Sequence, residues 1–399
     1  MRKSWAPFGR PDIERDPNAL VRCGVVMVES APEQRCPSVK KLDFLPRIES
    51  LRGIAALTVV GYHVGHLFDD LPATSAVDAF AYRMFMGVAN GIGAVVAFFV
   101  LSGFVLARSL EANPDWVRYF RNRVFRLFPA AIAVVSLLVA LYFMFGIYVG
   151  FKASFDPFNI VLNMLMIRSD INSPMWSMTV ECFATPLILT SVLLFKWFGA
   201  PWLAVLIVVL FGLSFWGPYV HALGGATNLA ALYAFVVGVF VHCTGARIAA
   251  AIRPRWAEPV ALLTMLVFCM CGFKKQTAPI LMIECLSTAM FVVLAVWHSA
   301  VKIFNPLDLK LVRFYGKVSY SFYLLHMLGI VFASRLVEAM DLHVSGWSAF
   351  SASVLMTFVA VLLTTPLAYL SWRFIELPFI ALGRHLGASS ATTFAVRRS

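Results

Sequence analysis

From residue 51 onward the chain alternates between apolar runs of about twenty residues and short polar connections. Ten such runs lie at about 51–68, 84–107, 127–150, 175–196, 202–220, 227–245, 257–273, 280–298, 316–336 and 350–372. A helix of about 20 apolar residues crosses the hydrocarbon core of a bilayer. The pattern therefore predicts an all-α polytopic membrane protein with about ten transmembrane helices. One further apolar piece, Pro157 to Arg168, is too short to span and suits a re-entrant or interfacial segment. The first run, LRGIAALTVVGYH, carries two ionisable residues, Arg52 and His63.

Composition supports that class. Of 399 residues, 60% are hydrophobic and 14% charged, where an ordinary soluble chain carries about 25% charged residues; the mean hydropathy is +0.80. A soluble fold would leave too little polar surface to cover such a core. Residues 1–46 are polar and rich in proline, and their longest apolar piece, Gly24 to Val28, is too short for a signal-peptide core. They read as a disordered cytoplasmic tail, followed by a membrane domain over 47–382 and a cytoplasmic C-terminal tail over 383–399.

Lys and Arg set the orientation. With the N-terminus inside, the tail through Arg52 holds ten basic residues. The connections 108–126, 196–201, 246–256 and 299–317 hold five, one, three and four, and the stretch from Arg373 holds four. That places 27 of the 33 basic residues on one side and predicts both termini in the cytoplasm. The net charge of +12 is thus mainly a topology signal; it does not imply nucleic acid, and it suits anionic membrane lipid or a phosphorylated ligand. The seven cysteines lack zinc or redox spacing, so no metal site is expected.

Arg52 and His63 are 11 residues apart, about 20° past three full helical turns, so they share a face about 16 Å apart along the axis. Ionisable groups inside a membrane are costly and are functional by default; the alternative for His63 is a satisfied packing histidine. In WVRYFRNRVFRLFPAAI, Arg123 and Arg126 neighbour each other on a helix near the surface. They serve either as a topology signal or as a phosphate clamp, since guanidinium forks suit phosphate oxygens. Glu181, in SPMWSMTVECF, is expected at a depth close to that of His63, facing a partner from another helix, with Trp176 in the interfacial belt. Glu284 raises the same question nearer the outer surface. His326 falls near mid-membrane behind Ser319, Tyr320 and Tyr323, and Arg373 and Glu376 read as an i,i+3 pair. Gly87 and Gly91 have the GxxxG spacing of closely packed helices.

Taken in order, RIESLRGIAALTVVGYH, GAVVAFFVLSGFVL, RVFRLFPA, PMWSMTVECF, VSYSFYLLH and WRFIELP, spread over about 47–380, resemble the membrane acyltransferase-3 family, which includes O-antigen and exopolysaccharide O-acetyltransferases. The family's basic residue, ten residues and histidine fall on Arg52 and His63; its Arg-x-x-Arg falls on Arg123 and Arg126; its Trp-Ser-x-x-x-Glu falls on Trp176, Ser177 and Glu181. Where many members follow that glutamate with a second acid, this chain has Cys182. The resemblance implies a multi-pass protein of the bacterial inner membrane that takes an acyl group from acetyl-CoA, or another acyl-CoA, at the cytoplasmic face. The implied acceptor is a hydroxyl of an extracytoplasmic or lipid-linked carbohydrate or glycolipid. His63, Glu181 and His326 are then candidate catalytic residues, and Arg52, Arg123 and Arg126 candidate donor-binding residues. His63 would act as a general base or as a covalent acyl relay. Some members carry an appended secreted hydrolase-like domain, which is not expected here, so the chain would act alone or with a separate periplasmic partner. The competing class is a proton-coupled transporter, which also uses intramembrane His, Glu and Arg; no inverted repeat is visible to favour it.

Overall fold

The computed structural model describes residues 45–71, 74–150, 153–215, 221–222, 225–226, 231–298, 300–340 and 348–396. The tail expected over 1–46 lies outside them as far as residue 44. The described chain is helical apart from loops and a two-residue antiparallel pairing of His221–Ala222 with Gly225–Ala226. The helices are α1 Pro46–Gly65, α2 Ala76–Val88, α3 Gly91–Ala112, α4 Trp116–Phe145, α5 Pro157–Met164, α6 Trp176–Phe198, α7 Ala200–Leu213, α8 Leu232–Ala251, α9 Pro254–Gly272, α10 Ala278–Trp297, α11 Lys310–Ala339, α12 Ala349–Ser371 and α13 Leu377–Val396.

Eight helical stretches are long and apolar enough to cross a membrane, with α2 and α3 counted as one. Two of the ten expected spans fall outside that set. The first, α1, carries Arg47, Glu49 and Arg52 within its 20 residues and is flanked by α3, α11 and α12. A helix enclosed by protein need not be apolar enough for lipid. The fifth run forms α7, which is only 14 residues long. By contrast α9 leaves Leu262, Leu263, Leu266 and Met270 exposed, as a lipid-facing helix should. The apolar piece at 157–168 forms the short helix α5, capped by Asp156, whose side chain accepts from Asn159 N. Beyond the last run the chain remains helical through α13 to Val396.

Three expectations change. The second run is not one helix: it breaks at Asn90, whose side chain caps α3 by accepting from Gly93 N at 3.0 Å. Gly87 and Gly91 therefore sit on either side of the break, in different helices and against the rings of Phe273 and Tyr62, so they do not share one GxxxG face. Close backbone approaches join Gly87 of α2 to Gly272 of α9 and Gly53 of α1 to α11, where a Cβ would stand 2.5 Å from the Gly316 nitrogen, and Gly103 and Gly238 meet likewise between α3 and α8. Finally, Arg373 and Glu376 do not pair. The turn Trp372–Glu376 is a π-turn, whose wider winding takes residues three apart off a common face. Arg373 is exposed while Glu376 is buried and accepts from Ser321 Oγ at 3.1 Å.

One end of the bundle is laced together by charge. Arg47 reaches Asp308 at 2.8 Å, Arg313 reaches the other oxygen at 3.0 Å, and Ser50 Oγ donates to Leu307 O at 2.6 Å. The Glu258 carboxylate accepts from the Lys302 and Ile303 nitrogens. The Arg47 hydrogen bond, then that of Arg313, hold Asp308 below the usual carboxylate range.

Candidate functional site

Two polar clusters face the interior, one towards the end where Arg47 and Asp308 meet, the other around His63. The first is built largely by α4. Asp115 caps that helix by accepting from Arg118 N at 3.0 Å, so the connection read as 108–126 is mostly helix. Tyr119, Arg123 and Leu127, spaced four apart, all turn inward. Arg123 is only 7% exposed and lies 2.8 Å from Glu181 Oε1, which also accepts from Ser102 Oγ at 2.8 Å. The expectation that Arg123 lies near the surface is overturned, because the early start of α4 carries it into the bundle.

Glu181, also 7% exposed, does meet a partner from another helix. Its level is not that of His63: it neighbours Arg123 and Arg52, the residue eleven places before His63 on α1. Arg52 and Arg126 are electrostatic neighbours of each other and of Glu376. Among the described residues neither arginine forms an ion pair within 4 Å, and the Arg52 Nε is enclosed without a hydrogen-bond partner. A cavity opens between Arg52, Ser102, Glu181, Ser177, Ser319, Tyr320 and Tyr323, walled by Val95, Phe98, Phe99 and Met178. Trp176, expected in the interfacial belt, is half-buried with its ring perpendicular to that of Phe99 at 6.4 Å.

The second cluster is a pair of imidazoles. The rings of His63 and His326 lie 5.3 Å apart at 34°. His326 is fully buried, and its Nδ1 stands 2.6 Å from the Tyr323 carbonyl oxygen. A carbonyl only accepts, so the ring proton is on Nδ1 and Nε2 carries the lone pair. That Nε2 is enclosed and has no hydrogen-bond partner. His63 is half-buried and, among the described residues, makes only ring contacts, with Tyr62 at 5.4 Å and with His326.

Tyr323 joins the two clusters. It lines the cavity, its ring is 5.5 Å from that of His326, and its hydroxyl accepts from Ser177 Oγ at 2.9 Å while donating to Pro174 O at 3.0 Å. Asn172 ties the segment before α6 to the same turn of α11 by donating to Leu324 O at 2.9 Å. The structure thus brings Arg52, Arg123, Arg126 and Glu181 together, and His63 with His326. Glu284 belongs to neither group: it is fully buried beside Asn90, whose amide donates to it at 2.6 Å. Among the described residues no three His, Cys, Asp or Glu side chains gather as a metal site.

Sequence reasoning missed the inward role of Glu376 and the part of Ser102. For Ser102 there was no signal, since a serine in an apolar run is common. For Glu376 the signal was its neighbour in sequence: two charges three apart at a helix end look paired until the π-turn separates them.

No curated protein and no solved structure matches the chain. A family model described as an acyltransferase domain matches residues 45–373, the greater part of the chain and every residue of both clusters except Glu376. With its polytopic helices and its interior arginine, carboxylate and imidazole groups, the chain belongs to the membrane acyltransferase-3 family and is a membrane acyltransferase.

Proposed function

We propose that this protein moves an acyl group, in the first instance acetyl, from acyl-CoA to a hydroxyl of an extracytoplasmic or lipid-linked carbohydrate. The observation that carries the reading is the placement of Arg52 and His63. They lie on one helix, with Arg52 on the wall of the charged cavity and His63 against a second imidazole. A donor with a polyanionic nucleotide end and a reactive thioester end needs those two environments in that order.

In this reading the protein lies in the bacterial inner membrane as ten spans with both termini cytoplasmic, and the basic end faces the cytoplasm. Arg52 and Arg126, which no carboxylate among the described residues holds within 4 Å, receive the phosphates of coenzyme A. The slim pantetheine arm runs along α1 towards His63. Arg123 is already paired with Glu181, so it holds that cavity-lining carboxylate rather than clamping the donor. His63 takes the proton from the acceptor hydroxyl as its oxygen attacks the thioester carbonyl carbon. The tetrahedral intermediate collapses, the carbon–sulfur bond breaks, and the thiolate of coenzyme A recovers the proton. The hydroxyl-rich acceptor enters from the opposite face, and no nucleic acid takes part.

Purified protein in detergent or vesicles, given acetyl-CoA and a lipid-linked or surface glycan, should release coenzyme A thiol in step with acetyl ester on the glycan. Mass spectrometry of glycans from cells with and without the gene identifies the acceptor. Flux of a solute without thiol release would overturn the reading.

A further inference from the structure

The enclosed Nε2 of His326 is an acceptor with nothing to accept from. Burying such an atom costs its hydration, so a native structure normally satisfies it in at least one working state. The side chain that can do so is already beside it. His63 is 5.3 Å away ring to ring and is held by no hydrogen bond among the described residues, so it is free to turn about its side-chain torsions.

We propose that His326 is the positioning partner of His63: its Nε2 accepts the N–H of His63, fixing that ring's tautomer and presenting its other nitrogen to the substrate. The backbone carbonyl of Tyr323 starts the chain by holding the proton of His326 on Nδ1. The bare Nε2 follows from that bond, and the orientation of His63 follows from the bare Nε2. Burial assigns the roles. His326 has no exposed surface, so a hydroxyl or thioester has no route to it, whereas half-buried His63 can meet both. A fully buried imidazole one ring behind the reacting one acts through its neighbour, as the carboxylate does behind the histidine of a hydrolase triad.

This inference rests on His63 being the base proposed above, and it leaves a covalent acyl intermediate unnecessary. Protons balance without an additional donor. His63 takes the hydroxyl proton on its free nitrogen and returns it to the thiolate, while the N–H shared with His326 stays with His63 throughout.

The test separates the pairing from the transfer reaction. Nitrogen-15 NMR of imidazole-labelled protein without substrate reads the tautomer directly. In the native protein His63 should show a single tautomer with one hydrogen-bonded N–H. In His326→Phe, which keeps the bulk and removes the acceptor, that signal should give way to a mixture of tautomers. In His326→Gln, whose amide oxygen can accept, it should be largely restored. Turnover should follow: a fall of about 10–100-fold in kcat for Phe, with KM for acetyl-CoA within about twofold, and partial recovery for Gln. A mere packing role would leave the tautomer of His63 unchanged and would move the thermal stability of Phe and Gln alike, which would overturn the proposal. A His63→Ala protein that still turns over, alongside a dead His326→Phe, would also overturn it by making His326 the base. If the native protein showed no acyl transfer at all, the proposed function would fall, and the NMR comparison would still decide whether the two rings are paired.

Discussion

The charged cluster and the imidazole cluster answer the cost of polarity inside a membrane in opposite ways. Around Arg123 opposite charges meet, guanidinium against Glu181, with Ser102 on the same carboxylate and Ser321 on Glu376, although the Nε atoms of Arg52 and Arg123 have no hydrogen-bond partner among the described residues. Around His326 a buried nitrogen is left without a partner, although a second imidazole stands next to it. The first arrangement holds helices α3, α4 and α6 together whether or not a substrate is bound. The second is complete only when something moves or binds. A buried ion pair marks groups that build the site, and an imidazole nitrogen left open to a proton marks groups that act in it.

The largest effect should come from the vacant side. His63→Ala should insert, fold and still bind coenzyme A, yet lose acyl transfer by about 10²–10⁴-fold, the usual worth of a general base. His63→Gln should fail similarly, because an amide does not take up a proton at neutral pH. Radiolabelled acetyl transfer by the purified variants checks this; a variant with most of its rate intact would end the contrast between the clusters.

The paired side should respond in stability. Arg123→Ala leaves Glu181 buried and unpaired, and breaking a buried ion pair costs about 3–5 kcal/mol. Thermal unfolding in detergent should register that loss, and Glu181→Gln should show a similar but smaller one. Replacing both partners with apolar side chains, Arg123→Met with Glu181→Leu, should recover most of the stability. If Arg123→Ala folds normally and instead loses coenzyme A affinity, the ion pair is not what holds this end together.

How much of this could be read beforehand differs between the two clusters. The helical class, most spans and the placement of His63, His326, Arg52, Arg123, Arg126 and Glu181 within the membrane domain were visible, because apolar runs of fixed length and charges inside them are one-dimensional signals. The pairing of Arg123 with Glu181 was not visible. It depends on α4 starting at Trp116 rather than near residue 127, and helix starts within basic, aromatic sequence give no hydrophobic edge. The depth of Glu181 was misjudged for a related reason: helix α6 follows a loop tied down by Thr179, which donates to Met166 O, so span counting does not set its level. The imidazole pair was half legible. Each histidine could be placed in its span, but their approach depends on how α1 and α11 cross at Gly53 and Gly316, a contact between residues far apart in sequence.

Arg126 tests the boundary between the clusters' two behaviours, since it sits among the charges yet has no ion-pair partner among the described residues. Arg126→Ala should fold with near-native thermal stability and weaken coenzyme A binding about tenfold, consistent with one charge-assisted contact. Lys at this position should restore part of the affinity, as it supplies charge without the fork. Titration calorimetry with coenzyme A decides; unchanged affinity would return Arg126 to a topology signal.

The smallest effect belongs to the rim, where Asp308 bridges Arg47 and Arg313 outside the membrane-spanning segments. The Arg47 bond, with that of Arg313, lowers the folded-state pKa of Asp308 relative to the unfolded chain. Its contribution is therefore present above the unfolded carboxylate range and is lost as pH falls through the folded value. Because the carboxylate is 38% exposed, water and salt screen most of the attraction. Asp308→Asn should lower the Tm at neutral pH by only about one to two degrees, less at high salt. The difference from the native protein should vanish in acid, once the native carboxylate is itself protonated. Thermal unfolding of the two proteins across pH and salt measures this. A penalty as large as that of Arg123→Ala, or one that persists in acid, would mean that the rim shares the locked character of the interior pair and that burial is not what separates them.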